Sequence, residues 1–322
     1  MRAIRIHTPG DADVLSVDTV DEPVPGAGHI LVTNEFAGVN FIDTYQRSGR
    51  YPLPLPATLG MEGAGTVSAL GDGVTGFAVG DRVAWASAQG SYAEQVVVSA
   101  DKAAPIPDTI ATDIAAAAML QGMTSHYLIT SVYEAKKGDI ALVHAAAGGV
   151  GLVITQMLAQ RGVTVIGTVS TDKKAAAATE AGAAHIIRYD TENVVERVVD
   201  ITSGAKCHVV YEGVGQATFD GSLECLRPRG TLALFGAASG PVPAFDLQRL
   251  SLLGSLFVTR PTLANFIQTA EEHRWRSSEI FDDIASGALA ITIGGRYALD
   301  DAAQAHRDLE SRATSGKLLL EI

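Results

Sequence analysis

The segment His144-Ala145-Ala146-Ala147-Gly148-Gly149-Val150-Gly151 follows the apolar run Ile140-Ala141-Leu142-Val143 and opens a helix-like stretch, residues 152–160. Strand, glycine-rich turn and helix, in that order, is the arrangement that binds a dinucleotide pyrophosphate. The spacing is kept as Ala146-x-Gly148-x-x-Gly151, with alanine in place of the first glycine. Ala146 can still make the tight turn. Gly148, lacking Cβ, lets phosphate oxygens reach its backbone, and Gly151 lets the helix pack closely on the strand. Free N–H groups and the positive dipole end of that helix would then face the anion. The competing reading is a tight β–α turn with no ligand.

The end of the following strand bears on which dinucleotide. An acidic residue there usually holds the ribose 2′-OH of NAD. This chain has Gly167-Thr168-Val169-Ser170-Thr171, with Lys173 and Lys174 after it and Tyr189 at the end of the third strand. A hydroxyl, a lysine and a phenol are donors suited to a 2′-phosphate, which favours NADP. Alternatively the lysines only solvate a helix face. Asp172 either caps the helix or weakens phosphate binding. His144 before the turn reads as a hydrogen-bonded histidine at a strand end rather than an acid–base group. His126, beside Tyr127, has a slightly better claim. Cys207 reads as core.

Two kinds of element must position these groups. Residues 1–121 hold short β-type runs with many glycine and proline turns, including expected strands at 30–39, 66–70, 81–86 and 92–98. Prolines at 52, 54 and 56 make residues 51–57 an ordered loop. Residues 113–134 are alanine-rich and helical, and Gly122 suggests two helices meeting at a bend. Beyond Asp139, apolar runs begin near residues 140, 163, 185, 208, 232 and 253, most followed by helical segments. That βαβ series predicts an α/β fold, a doubly wound parallel sheet. Helices are expected at 263–273, 277–286 and 301–311, and strands at 291–293 and 318–322. These last elements are expected to complete the first domain. The organisation so read is a β-rich domain over 1–124, completed by 263–322, and a dinucleotide-binding domain over 125–262.

Composition excludes several classes of function. A net charge of −12 opposes general binding to nucleic acid or anionic membranes. No apolar run reaches transmembrane length. Met1-Arg2-Ala3-Ile4-Arg5-Ile6 reads as a first strand rather than a signal peptide. Two cysteines, Cys207 and Cys225, make neither a metal spacing nor a disulfide framework and suit a reducing cytoplasm.

Several long motifs in one order make a specific resemblance. They are Gly38-Val39-Asn40-Phe41-Ile42-Asp43-Thr44-Tyr45, Ser48-Gly49-Arg50-Tyr51-Pro52, residues 144–151, Phe257-Val258-Thr259-Arg260-Pro261 and Leu309-Glu310-Ser311-Arg312-Ala313-Thr314. With them the chain resembles, along essentially its whole length, the zinc-independent, zeta-crystallin-like quinone oxidoreductases of the medium-chain dehydrogenase/reductase superfamily. The resemblance implies a GroES-like catalytic domain beside a Rossmann domain. It implies NADPH-dependent reduction of quinones, by hydride or electron transfer at an interdomain cleft. Asn40, Tyr127, Gly149, Val150, Ser170, Lys174, Tyr189, Val214, Gly236 and Arg312 are then expected at the nucleotide, together with Gly148 of the turn. Phe235, Ala237 and Phe257 are expected on the nicotinamide side. Asn40, Asp43, Tyr45 and Tyr51 are expected to line the substrate cleft. Ser170 departs from the glycine common at its position.

The departures from zinc-dependent relatives matter equally. Asn40 stands where their first ligand, a cysteine, would be, and Met61 stands for the histidine of their Gly-His-Glu motif. No metal is therefore expected, and Glu62 reads as a structural hydrogen-bonding group. An activated acceptor such as a quinone is easier to reduce without a Lewis acid than a saturated ketone. Asn40, Tyr45 or Tyr51 is expected to donate a hydrogen bond to the developing oxyanion. The alternatives are an enone or enoyl-thioester reductase on the same scaffold and a non-catalytic nucleotide-binding protein. A homodimer pairing the strand at residues 253–258 follows from the resemblance, and Arg260 is expected either to face the cleft or to brace that contact.

Overall fold

A computed structural model describes all residues, 1–322. The chain divides into two compact units, one formed by residues 1–123 and 266–322, the other by 124–265.

The first unit opens with β1 (Arg2–Ile6), β2 (Ser16–Thr19) and the long β3 (His29–Val39). Helix α1 (Phe41–Arg47) follows at once. Then come β4 (Ala57–Thr58), β5 (Glu62–Leu70), β6 (Arg82–Ala86), β7 (Gln95–Ser99) and β8 (Ala103–Pro105). Tyr92, the first residue of the strand expected at 92–98, lies outside β7. Its N–H bonds the Leu59 carbonyl at 2.9 Å, so pairing regular enough for a strand starts only at Gln95.

Helix α2 (Thr112–Tyr127) runs through Gly122 without a break, against the expected bend. A Cβ at Gly122 would lie 3.1 Å from Ile280, so this glycine answers to packing. Its helical cost against alanine is only about 1 kcal/mol. The irregularity comes later, as a π-helical turn at Leu128–Val132.

The second unit alternates strand and helix: β9 (Ile140–Val143), α3 (Gly149–Gln160), β10 (Thr164–Val169), α4 (Asp172–Glu180), β11 (His185–Arg188), α5 (Val194–Ile201), β12 (Cys207–Glu212), α6 (Phe219–Glu224) and β13 (Leu226–Leu234). It closes with α7 (Gln248–Leu252) and β14 (Phe257–Thr259). All pairings are parallel, in the order β11-β10-β9-β12-β13-β14. The strand order reverses at β9, which is where such sheets open a crevice at their C-terminal edge. Leu142, Ile166, Val210 and Leu232 from the central strands are all buried in one core. The apolar run at 253–258 is mostly not a strand. Leu250 and Leu253 turn into the core from α7 and the turn after it, which leaves three residues to pair with β13.

The chain then completes the first unit. A short 3-10 turn at Leu263–Phe266 precedes one continuous helix, α8 (Ala270–Ala285). The two helices expected at 263–273 and 277–286 are thus one helix, started late by the Thr269–Glu272 capping box. Next are β15 (Ile293–Ala298), which begins where the expected strand at 291–293 ended, α9 (Ala302–Ser311) and β16 (Lys317–Glu321). β16 lies antiparallel to β3 and parallel to β15, giving the sheet order β15-β16-β3-β5-β6-β8, with β7 also on β3. Chain end and chain start therefore share one core, in which Ile4, Val39, Leu59, Leu318 and Leu320 pack together.

Candidate active site

In the second unit, Gly148 is the N-cap of α3, with extended backbone and no side-chain cap bond. No acidic residue lies in the first turn. The helix therefore presents its N–H groups and positive end with no carboxylate from its own chain segment over them. Ala145 takes a left-handed φ of 51°, and its carbonyl accepts from Gly148 N–H at 2.8 Å. A Cβ on Gly151 would sit 2.2 Å from that carbonyl oxygen, so the turn closes only over glycine. The geometry is a tight glycine turn that leaves a helix N-terminus open to an anion.

A buried polar cluster lies at the ends of β9, β10 and β12. Ser222 Oγ donates to Glu212 Oε2 at 2.6 Å, so the His144 Nε2–H must donate to Ser222 Oγ at 3.0 Å. Nδ1 then accepts from Thr168 Oγ1 at 3.1 Å. Burial holds the imidazole pKa down, with Glu212 opposing, so His144 is a neutral connector. The other Glu212 oxygen accepts the N–H groups of Val214 and Gly215 at 2.7 and 3.1 Å. The same residue's carbonyl accepts Phe235 N–H at 2.9 Å and Gly236 N–H at 3.3 Å. Glu212 thus fixes the two loops that carry Val214 and Phe235-Gly236-Ala237.

At the β10–α4 turn, Thr171 rather than Asp172 caps the helix, accepting from Lys174 N–H at 3.3 Å. Asp172 instead pairs with Arg188, whose guanidinium also grips Asp190 at 2.9 and 2.8 Å. Ser170 is half-buried, and Tyr189 is exposed with its N–H on the Val169 carbonyl at 3.2 Å. The turn therefore brings Ser170, Lys174 and Tyr189 to one end of neighbouring parallel strands. Tyr127 is buried, and Phe257 is exposed on the edge strand β14. Arg260 donates to the Leu234 carbonyl at 3.1 Å. His126 is fully buried, with its carbonyl accepting from Thr130 Oγ1 at 2.7 Å.

In the first unit, Asn40 is the N-cap of α1, in a capping box with Asp43. Its side-chain amide is spoken for. One hydrogen goes to Glu62 Oε2 at 2.9 Å and the other to the Gly38 carbonyl at 3.2 Å. Oδ1 accepts from Lys317 Nζ at 2.6 Å, and Lys317 also pairs with Glu62. Glu62 Oε1 takes Leu120 N–H at 2.6 Å. Glu62 and Lys317 are both fully buried. Asn40 therefore has no amide hydrogen left for a substrate oxyanion, which corrects the expected donor role.

Asp43 also departs from the expected cleft-lining role, because its carboxylate is fully buried. Oδ2 accepts from Asn40 N–H at 2.8 Å and from Tyr92 OH at 2.9 Å. Burial raises its pKa to about 7. Tyr92 in turn meets His306 Nε2 at 3.2 Å, and His306 Nδ1 meets Arg47 Nη1 at 3.1 Å. Arg47 makes a bidentate pair with Glu310 at 3.0 and 2.9 Å. Burial, then Arg47, lowers His306 to about 3, so it is a neutral link with its proton on Nε2. Tyr45 is 9% exposed and Tyr51 40%; their rings meet edge to face at 5.5 Å, with Arg50 4.3 Å above Tyr45. Tyr51 is thus the more accessible phenol. Arg312 follows α9 in a left-handed conformation, φ 59°.

The comparisons agree with this architecture. Residues 26–108 match the alcohol dehydrogenase GroES-like domain, and 149–272 match the zinc-binding dehydrogenase family. The chain is 46% identical to a quinone oxidoreductase of Pseudomonas aeruginosa, covering 99% of both chains. The chain belongs to the quinone oxidoreductases of the medium-chain dehydrogenase/reductase superfamily. The Escherichia coli quinone oxidoreductase, solved with NADPH, superposes with a TM-score of 0.98 at 44% identity over 100% of both chains. A 2-haloacrylate reductase from a Burkholderia species is 39% identical over 98% of this chain and 97% of its own.

The zinc in one matching family's description does not fit these residues. At the two positions corresponding to zinc ligands, Asn40 Oδ1 already faces an ammonium, and Met61 Sδ accepts from Gln46 Nε2 at 3.5 Å. A divalent cation beside Lys317 would be repelled, and neither side chain is a good zinc donor. A dinucleotide is compatible with the turn, because the α3 N-terminus has a glycine cap and no acidic residue in its first turn to oppose an anion. Glu62 is the structural hydrogen-bonding group expected from the sequence, but its partners and the buried networks around Asp43 and Glu212 escaped sequence reading. Their one legible signal is a charged residue beside an otherwise apolar strand: Lys317 before Leu318-Leu319-Leu320, and Glu212 after Val209-Val210-Tyr211.

Proposed function

We infer that this chain catalyses the NADPH-dependent reduction of quinones. The observation that carries the reading is full-length likeness to quinone oxidoreductases, one of them solved with NADPH. The glycine cradle and the Ser170, Lys174, Tyr189 grouping support it. When bound, NADPH supplies a hydride, which with one proton converts the quinone to a hydroquinone. The chain's own residues bind and orient. The α3 N-terminus with Gly148, Gly149 and Val150 receives the pyrophosphate, while Ser170, Lys174 and Tyr189 receive the 2′-phosphate. Glu212 holds the Val214 and Phe235–Ala237 loops in place for the nicotinamide half, with Tyr127 and Phe257 completing the set. Tyr51, with Tyr45 packed against it, offers a phenol to the developing oxyanion. Asn40 and Asp43 act as positioning residues.

The test is steady-state oxidation of NADPH and NADH with 1,4-benzoquinone and with a simple enone. Quinone turnover with NADPH preferred supports the reading, and turnover with the enone alone replaces it. Lys174→Ala is expected to cost NADPH affinity about tenfold and to leave NADH unchanged. The second reading, an enone-type reductase, is favoured by the likeness to the 2-haloacrylate reductase.

We also propose a homodimer through the edge of the parallel sheet. Phe257 and Val258 of β14 and Leu247 and Leu252 near it in sequence are 62%, 37%, 71% and 84% exposed. No helix is long and apolar enough to cross a membrane. A cytoplasmic setting suits Cys207 and Cys225, both buried and free, with thiol pKa values pushed up by burial.

A further inference from the structure

We propose that Arg188 sets the cofactor preference of this chain by taking up the carboxylate of Asp172. The proposal rests on the reading that Ser170, Lys174 and Tyr189 receive a 2′-phosphate. Asp172 is the first residue of α4, two positions from Ser170 and two from Lys174. An acid at the end of the second strand is what favours a ribose 2′-OH and opposes a 2′-phosphate. Left alone, its charge would work against NADP.

The structure does not leave it alone. Arg188 ends β11 and sits opposite Val169, the last residue of β10, in the parallel register. Its guanidinium reaches across to Asp172 and holds Asp190 through two further bonds at 2.9 and 2.8 Å. Its own N–H is fixed by Glu192 at 2.7 Å. One cation thus ties the start of α4 to the segment carrying Tyr189. Asp172's side chain is 98% exposed and has no part in capping, since Thr171 does that. The pair therefore contributes little to stability. Its consequence is electrostatic and local: a carboxylate held on a guanidinium repels an incoming dianion less than a bare one.

The experiment measures binding of 2′,5′-ADP and 5′-AMP by calorimetry to the wild type, Arg188→Gln, Asp172→Asn and the double variant, at low and at physiological salt. Circular dichroism checks that each is folded. In the wild type, 2′,5′-ADP is expected to bind more tightly than 5′-AMP. Arg188→Gln is expected to weaken 2′,5′-ADP about five- to tenfold at low salt, less at physiological salt, with 5′-AMP unchanged. Adding Asp172→Asn is expected to restore most of the loss. An unchanged ratio in Arg188→Gln, or a loss that Asp172→Asn does not rescue, overturns the proposal and leaves the 2′-phosphate site intact. A wild type that fails to prefer 2′,5′-ADP overturns the underlying site, and the Arg188 inference with it.

Discussion

Asn40 shows how a residue placed by motif changes its role when its partners are known. Its amide is held at both ends, by Lys317 on the oxygen and by Glu62 and Gly38 on the nitrogen. Lys317→Met would leave Glu62 charged and buried without its cation, which typically costs about 3–5 kcal/mol. A fall in the urea midpoint, largely recovered in Lys317→Met with Glu62→Gln, is the expected result; no recovery would mean the loss is one of packing. Asp43 and the buried histidines have opposite pH signatures. Asp43's folded pKa of about 7 lies above its unfolded value, so its contribution to stability is full in acid and is lost as pH rises through about 7. Asp43→Asn should therefore gain stability relative to wild type between pH 5 and pH 8 in thermal melts. His273 is fully buried, neither ring nitrogen has a hydrogen-bond partner, and burial followed by Lys102 and Arg274 lowers it to about 4. Its contribution is present above its unfolded pKa and is lost as pH falls towards 4. His273→Phe should remove about 2–3 kcal/mol of acid destabilisation, read as a lower acid midpoint.

The β9–α3 turn is the element on which nucleotide binding stands or falls. Gly151→Ala puts a methyl group 2.2 Å from the Ala145 carbonyl, so the helix must move off the turn. Loss of NADPH binding of about tenfold or more is expected by fluorescence titration, with the fold kept. Gly148→Ala, whose Cβ would be 3.2 Å from the same oxygen, should disturb the turn itself less and should weaken NADPH through the methyl group it puts where the phosphate oxygens approach. This turn was legible because all its determinants are local. The βα units were legible for the same reason, since short apolar runs at regular intervals need only their own period. What stayed hidden needs distant partners. Asn40, Glu62 and Lys317 meet across 22 and 277 positions of sequence, and the lysine beside the apolar run 318–320 marks a buried charge without naming its partners. The run at 253–258 misled because a core-facing turn and a buried strand are both apolar; Leu253 packs inward from the turn after α7. Gly122 misled because a glycine needed for Ile280 looks the same in sequence as a helix break.

The molecule taken as a whole carries two features that pull against each other. Its net charge of −12 should keep copies apart, yet the edge strand of the parallel sheet carries exposed apolar residues. An edge strand left open is a template for pairing with another chain, and proteins cover such edges. β14 is only three residues long, so backbone pairing alone would be weak, and most of the association must come from apolar burial by side chains such as Leu252 and Val258. Leu252→Glu with Val258→Glu should therefore give a monomer in sedimentation velocity where the wild type gives a dimer. Neither residue is expected at the nucleotide, so NADPH binding should persist in the monomer. Raised salt should tighten the wild-type dimer slightly, because it screens repulsion between two acidic copies and leaves apolar burial in place. A wild-type monomer, or a dimer unaffected by both substitutions, would remove this edge as the interface.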